Sequence, residues 1–242
     1  MYSQAAPRSG KRVVSPTFDS LFSDKEVAFY STIKERDPEF AKWIADYHGI
    51  KEVNQNGING KFMIIDDLTY SYSKPSIIDL KMGVKTWEDD APKEKIERES
   101  KKYPLQRKIG FRLTGMRVFN TEKQEFDIYG KKYGYSLTEE TLPDMFTNYF
   151  SFVKAELRQA VIRSVIQQLE SILEWFELRG HLQFICTSVL IIFEGNTESD
   201  YRPIVRLVDF AHVRQLPEDQ RDEGFIVGLK CILNDLKSRV EE

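Results

Sequence analysis

An acid and a base two residues apart, Asp79 and Lys81, stand inside the short apolar run Pro75-Ser76-Ile77-Ile78-Asp79-Leu80-Lys81-Met82-Gly83. Read as a strand, this run sends alternate side chains to opposite faces, so the carboxylate and the ammonium point the same way. A carboxylate suits sugar hydroxyls, an ammonium suits phosphate, and the glycine beyond permits close backbone approach. The same spacing also fits a cross-strand ion pair on a solvated face. A second acid, Asp209, closes the apolar run of Leu207-Val208-Asp209-Phe210-Ala211-His212. A carboxylate there is costly to bury without a cation, and magnesium shared with nucleotide phosphates would supply one. An N-cap or a buried salt bridge is the alternative reading of Asp209.

Two weaker features accompany these. From Lys93 to Lys108 there are seven Lys/Arg against three Glu. Lys95, Arg98 and Lys102 fall at i, i+3 and i+7, so a helix aligns them on one face, with Ile96 and Tyr103 anchoring the neighbouring face. Such a row over a cleft would grip a highly phosphorylated small molecule; a solvated helix face is the other reading. Asp66-Asp67-Leu68 leaves a buried strand, where exposed backbone groups could pair with an adenine edge; a plain polar loop is the other reading. Lys11 and Arg12 could reach nucleotide phosphates, but their register is ambiguous. The chain carries no His-Arg-Asp catalytic loop, no Gly-x-Gly-x-x-Gly and no Walker A lysine, which excludes an ordinary protein kinase or P-loop enzyme.

The elements that must position these residues are legible in outline. Arg12 to Ser15 reads as a short strand, and Ser23 with Glu26 as a capping box opening a helix through Val27, Phe29, Tyr30 and Ile33. After Pro38 a second helix is expected through Phe40, Trp43, Ile44 and Tyr47, ending near Gly49. Asn56-Gly57-Ile58-Asn59-Gly60 marks a turn before a buried strand, Lys61 to Ile65. Gly110 to Phe119 and Glu125 to Tyr129 read as a strand pair. Apolar residues between Val153 and Leu178 recur at helical spacing, with Gly180 as the stop. Two strands follow, Ser188 to Phe193 and Ile204 to Phe210, and then a helix carrying Phe225, Leu229, Ile232, Leu233 and Leu236 on one face. The mixture gives an α+β fold of two lobes, residues 1–68 and residues 69–242, the second including the basic helical segment 88–109.

Composition sets further bounds. The chain of 242 residues carries 35 Lys+Arg against 38 Asp+Glu, so a general nucleic-acid binder is disfavoured. Cys186 and Cys231 read as buried thiols rather than a disulfide, which suits a reducing compartment. No segment reaches the roughly 18–20 apolar residues of a membrane span, and no signal-peptide pattern opens the chain. A soluble intracellular protein, cytoplasmic or nuclear, is expected.

Together these pieces resemble the inositol polyphosphate kinase family, in its compact multikinase and hexakisphosphate-kinase branch. The matching segments run in the family's order: Lys25 to Tyr30, Asp66 to Thr69, Pro75 to Gly83, Glu94 to Ile96, Gly110-Phe111 with Gly115 to Val118, Thr187 to Leu190, Val208 to His212, and Asp222 to Phe225 with Gly228-Leu229. The resemblance implies a protein-kinase-like (ATP-grasp-like) two-lobed fold with ATP in the interlobe cleft and a short basic helix over the substrate site. Asp66 and Leu68 would offer backbone groups to adenine, and Asp79 would hold the ribose. Lys81 would bridge the transferring phosphate and an inositol polyphosphate. Asp209 would ligate magnesium, His212 would face the substrate, and Lys102 would grip its phosphates, joined by Lys95 and Arg98 on the strength of helical geometry. Ser188-Val189-Leu190 stands where the family has Ser-Leu-Leu. The segment around Lys11 departs from the family's opening hairpin, leaving the lysine for the ATP phosphates unassigned. Trp87 to Gly110 is too short for the large helical substrate lobe of inositol trisphosphate 3-kinases, and their calmodulin-binding insertion is missing. A more open site with a broad substrate range is expected.

The activity implied is magnesium-dependent transfer of the ATP γ-phosphoryl group to an inositol polyphosphate. No general base stands out, which favours hexakisphosphate as acceptor, its phosphate oxygen being already ionised. A multikinase acting on ring hydroxyls is the alternative. Further rivals are a phosphoinositide lipid kinase and a non-catalytic inositol phosphate receptor or scaffold. A nucleic-acid-binding module ranks last.

Overall fold

The computed structural model describes residues 12–15, 24–55, 58–197 and 200–241. Lys11, Ser23 and the Asn56-Gly57 tip of the expected turn lie outside them. Strands β1 (Arg12–Ser15), β2 (Tyr47–Gln55) and β3 (Ile58–Asp66) form an antiparallel sheet in the order β1-β3-β2. Helix α1 (Asp24–Arg36) buries Phe29, Tyr30 and Ile33, as their spacing requires. The second expected helix is corrected. Only a 3-10 turn, Phe40–Trp43, forms, and Ile44 is already extended at φ −118°. Tyr47 then enters β2, whose pairing with β3 slips between Tyr47 and Ile50, where Gly49 takes φ +96°. A left-handed residue inside the expected last helical turn cannot continue a helix, and glycine adopts it without steric cost.

The larger sheet is antiparallel throughout. Its strands are β4 (Pro75–Met82), β5 (Phe111–Asn120), β6 (Glu125–Tyr129), β8 (Ser188–Glu194) and β9 (Ile204–Val208), in the order β6-β5-β4-β8-β9. A small pair, β7 (Leu182–Phe184) with β10 (Val213–Gln215), flanks it. The helices of this part are α2 (Lys93–Lys102), α3 (Gln106–Ile109), α4 (Lys131–Ser136), α5 (Leu142–Tyr149), α6 (Ala155–Leu178) and α7 (Glu223–Glu241). The expected strand through Phe210 ends at Val208, because Asp209 turns left-handed at φ +70°.

The two faces of the larger sheet have different fates. Ile78, Leu80 and Met82 belong to the main core, together with Val165, Leu169 and Phe176 of α6 and Leu229, Ile232 and Leu236 of α7. The alternate residue Ile77 belongs to a separate small cluster with Leu190 and Ile192, joined by Leu68, Tyr72, Ile204 and Val208. Period-two alternation thus puts Asp79 and Lys81 on the face away from the main core. Where α7 crosses the end of α3, Gly110 and Gly228 meet backbone to backbone; a Cβ on Gly228 would strike the Gly110 carbonyl oxygen and come 2.7 Å from Met82 Cε.

An aromatic cluster joins the smaller sheet's helix to the rest. Phe210 stacks on Phe29 at 4.5 Å between centroids and meets Tyr30 edge-on at 5.3 Å. Phe40 stacks on Phe184 at 5.2 Å, and Trp175 Nε1 donates to Asp37 Oδ2 at 2.8 Å. Offset and edge-on aromatic pairs of this kind each contribute roughly 0.5–1.5 kcal/mol beyond burial. No described helix is long and apolar enough to cross a membrane, and both cysteines are free thiols.

Candidate active site

Sheet register builds the centre of the site. Lys81 on β4 lies opposite Ser188 on β8, and Ser188 lies opposite Val208 on β9, so Asp209 emerges one residue beyond a row that starts at Lys81. The Lys81 ammonium donates to the Cys186 carbonyl at 2.8 Å. Cys186 can present that carbonyl because its backbone is left-handed, at φ +66°. Thr187 Oγ1 donates to the Asp209 carbonyl at 2.8 Å, which fixes the turn after β9. Asp79 lies two residues up β4, opposite Leu190.

Electrostatics mark the same spot. Burial pushes the Asp209 carboxyl above its ordinary value, with the Lys81 charge opposing. Glu26, in the first turn of α1, accepts the Phe210 amide at 3.1 Å. It is raised by burial, the amide bond opposing, and further raised by the Asp209 charge. Buried carboxylates short of positive charge, with hard oxygen donors, fit a divalent cation. Among the described residues no group of three or more His, Cys, Asp or Glu side chains gathers to hold a metal. Asp209 would therefore need phosphate and water to complete a magnesium shell, the usual arrangement for this ion.

Helix α2 lies against this centre. Arg112 on β5 is opposite Lys81 and only 8% exposed. Its guanidinium reaches Glu99 of α2 at 4.0 Å and Gln106 Oε1 at 3.3 Å. Gln106 in turn donates to the Gly83 carbonyl at 2.8 Å. Burial raises the Cys186 thiol, while the charges of Lys81, Arg112 and Lys95 pull it down, so Lys95 shares the field of Lys81. Lys102 binds Glu99 at 2.6 Å, and Arg98, 3.6 Å from Glu99, stands at the rim with its side chain 66% exposed. The expected cationic face exists, with an unexpected carboxylate at its centre.

His212 Nδ1 lies 3.3 Å from Glu88 Oε1, and the same oxygen is 3.8 Å from Lys25 of α1. The neighbouring Asp89 binds Lys85 and Arg214. The loop between β4 and α2 is thereby pinned on the segment that follows Asp209. At the other end, Asp66 Oδ1 lies 2.6 Å from His48 Nε2, and the Asp66 amide donates to the Asp46 carbonyl. The Leu68 amide has no hydrogen-bond partner among the described residues. A cavity of about 400 Å³ borders Asp66, Leu68, Ile44 and Arg206.

Lys81, Asp79 and Asp209 are thus brought to one face, with Lys95 and Lys102 on the helix beside it. His212 stands after the Asp209 turn, and Asp66 with Leu68 edge the cavity. Sequence reasoning missed Glu26, Glu88, Glu99 and Arg112 as site residues. The presence of three glutamates in the basic stretch was the one signal for Glu99; the others depend on contacts between distant segments.

A family model described as inositol polyphosphate kinase matches residues 62–237. The human inositol polyphosphate multikinase is 33% identical over 180 residues, covering 72% of this chain and 43% of that protein. The chain therefore spans less than half the length of that relative. Mouse inositol hexakisphosphate kinase 3 is 28% identical over 200 residues, covering 73% of this chain and 50% of that protein. Among solved structures, the S. cerevisiae inositol phosphate multikinase Ipk2 in complex with ADP and Mn2+ superimposes with a TM-score of 0.79 at 23% identity, covering 96% of this chain and 100% of that one. That likeness shows the fold: mixed helix and sheet of the kinase-like kind.

Proposed function

The chain belongs to the inositol polyphosphate kinase family, and from that premise we propose that it transfers the γ-phosphoryl group of ATP to an inositol polyphosphate, preferring ring hydroxyls of lower inositol phosphates. The observation that carries this reading is the single sheet face holding Asp79, Lys81 and the emerging Asp209. The boundary at residue 68 separates the lobes, and the segment 88–109 covers the acceptor.

In this reading the Leu68 amide and Asp66 carbonyl receive adenine, beside the cavity they border. Asp79 receives the ribose hydroxyls. Asp209 would hold magnesium, which when bound neutralises charge on the nucleotide phosphates. Lys81, held on the Cys186 carbonyl, moves to the γ-phosphoryl oxygens. Lys95 and His212 orient the acceptor's phosphates, with Arg98 and Lys102, both paired to Glu99, at the edge of the site. The acceptor oxygen forms its bond to γ-phosphorus as the bridging oxygen to ADP leaves, and the hydroxyl proton departs to solvent. Loose phosphoryl transfer needs little base assistance, so positioning and charge stabilisation carry most of the rate.

Hydroxyl-directed transfer moves ahead of the hexakisphosphate activity expected from the sequence for two reasons. The multikinase relative is the more similar of the two quoted, and Glu99 and Glu88 lower the positive charge around the acceptor. Phosphorylation of the hexakisphosphate is the second reading, supported by the likeness to hexakisphosphate kinase 3. The test is incubation with ATP and magnesium against inositol trisphosphate and hexakisphosphate separately, with products resolved by anion exchange. Turnover of the trisphosphate supports the first reading, a product more anionic than hexakisphosphate the second, and turnover of neither overturns both.

A further inference from the structure

Glu99 is the one acid of α2 that is turned inward. Its side chain is 11% exposed, against 72% for Glu97. One carboxylate serves Lys102 at 2.6 Å, Arg98 at 3.6 Å and Arg112 at 4.0 Å, with Thr86 Oγ1 at 3.5 Å. Burial works to raise its pKa, but the Lys102 hydrogen bond and the surrounding cations prevail and hold it below the ordinary value. It is a fixed negative charge. It is also central, because Arg112 stands opposite Lys81 in the strand register. Lys101 of α2 is paired with exposed Glu97. That leaves Lys95 as the half-buried cation of α2 with no carboxylate within 4.0 Å among the described residues.

We propose that Glu99 is a specificity-determining residue, an interior carboxylate that takes up the charge of Lys102, Arg98 and Arg112 and biases the site against the most highly phosphorylated inositols. The inference rests on the inositol phosphate reading given above. A trisphosphate can place its phosphates on Lys81 and Lys95 and leave the Glu99 pairs intact. A hexakisphosphate has a phosphate on every ring carbon, so one must lie beside Glu99 or displace it from Lys102. Rejection by an unfavourable like charge discriminates as effectively as an added attraction.

The test is calorimetric binding of inositol trisphosphate and inositol hexakisphosphate, without nucleotide, to the wild type and to Glu99→Gln, Glu99→Asp, Glu97→Gln and Lys102→Met. Removing one like charge at this range in a partly buried site should raise the hexakisphosphate-to-trisphosphate affinity ratio about tenfold in Glu99→Gln. Glu99→Asp and Glu97→Gln should keep the wild-type ratio. Lys102→Met, at a side chain 35% exposed, frees the Glu99 charge and should lower the ratio. An unchanged ratio in Glu99→Gln, or equal weakening of both ligands, would show a merely structural anchor and overturn the proposal. A shifted ratio with no turnover of either ligand would sustain it while the kinase reading fell. Binding of neither ligand to the wild type overturns both.

Discussion

Replacing Asp209 by Asn should move stability and activity in opposite directions. Asp209 holds φ +70°, a conformation that Asn accepts about as readily as Asp. The hydrogen bond from Thr187 goes to its main-chain carbonyl and survives the change. Burial raises the carboxyl's pKa with Lys81 only opposing, so the neutral amide sheds a desolvation cost that the charged form bears. Stabilising substitutions of single sites contribute about 0.5–2 kcal/mol. For a chain of 242 residues each kcal/mol raises Tm by about 2–4 °C. Turnover should fall at least about a thousandfold, equivalent to ~4 kcal/mol of lost transition-state stabilisation. Asp209→Ala should lose the same activity yet be destabilised, because alanine in the left-handed region costs roughly 1–2 kcal/mol. Urea denaturation and thermal melting measure the first quantity; anion-exchange separation of products measures the second. Asn at this position with more than about a tenth of wild-type turnover, or with lower stability than the Ala variant, would refute the reasoning.

Other outcomes follow from single contacts. Lys81→Met removes the ammonium held on Cys186 and should lower kcat by about 10²–10³; an unchanged kcat would put Lys81 outside the chemistry. Asp222 accepts the buried amides of Phe184 at 2.8 Å and Phe225 at 3.1 Å, so Asp222→Ala should cost about 1–3 kcal/mol for each orphaned donor. Burial raises the Asp222 pKa above 3.8. Its protonation therefore favours the folded state, a contribution complete below the unfolded value and lost as pH rises through the raised one. The stability gap between wild type and Asp222→Ala should widen on acidification, and a gap that narrows in urea titrations would contradict this. Gly228→Ala drives a Cβ into the Gly110 carbonyl and Met82 and should cost about 1–3 kcal/mol by overpacking; a variant as stable as wild type would show that α7 can shift freely.

Local rules carried the reading as far as they apply. Period-two alternation placed Asp79 and Lys81 together because one face of β4 is packed by helices and the other is not. The same kind of rule failed at Phe40, Trp43, Ile44 and Tyr47, whose spacing mimics a helix. There the aromatic rings are spent on tertiary contacts, Phe40 on Phe184 and Tyr30 on Tyr47, and the chain turns into a strand. Glu26 read as half of a capping box, yet its carboxylate reaches an amide 184 positions away. The Cys186 carbonyl that holds Lys81 has no sequence signal, since any residue carries a carbonyl and only the left-handed turn aims it. Glu88 and Arg112 matter through partners that only the fold supplies.

The arrangement also constrains how such a site can move. Lys81 and the strand that delivers Asp209 are tied through β8 in one continuous hydrogen-bonded sheet. A shift of the β1-β3-β2 sheet leaves that spacing untouched, because neither residue is carried by it. What such a shift strains are the contacts of α1: Glu26 on the Phe210 amide, Phe29 on Phe210, and Lys25 near Glu88. Two of these bear directly on the residue after Asp209, and the third on the partner of His212. Such a shift would therefore act on the orientation of the Asp209 turn and of His212 rather than on the spacing of Lys81 and Asp209. Packed interfaces respond in steps rather than by smooth deformation, so α1 is an element through which the smaller sheet acts on the Asp209 turn.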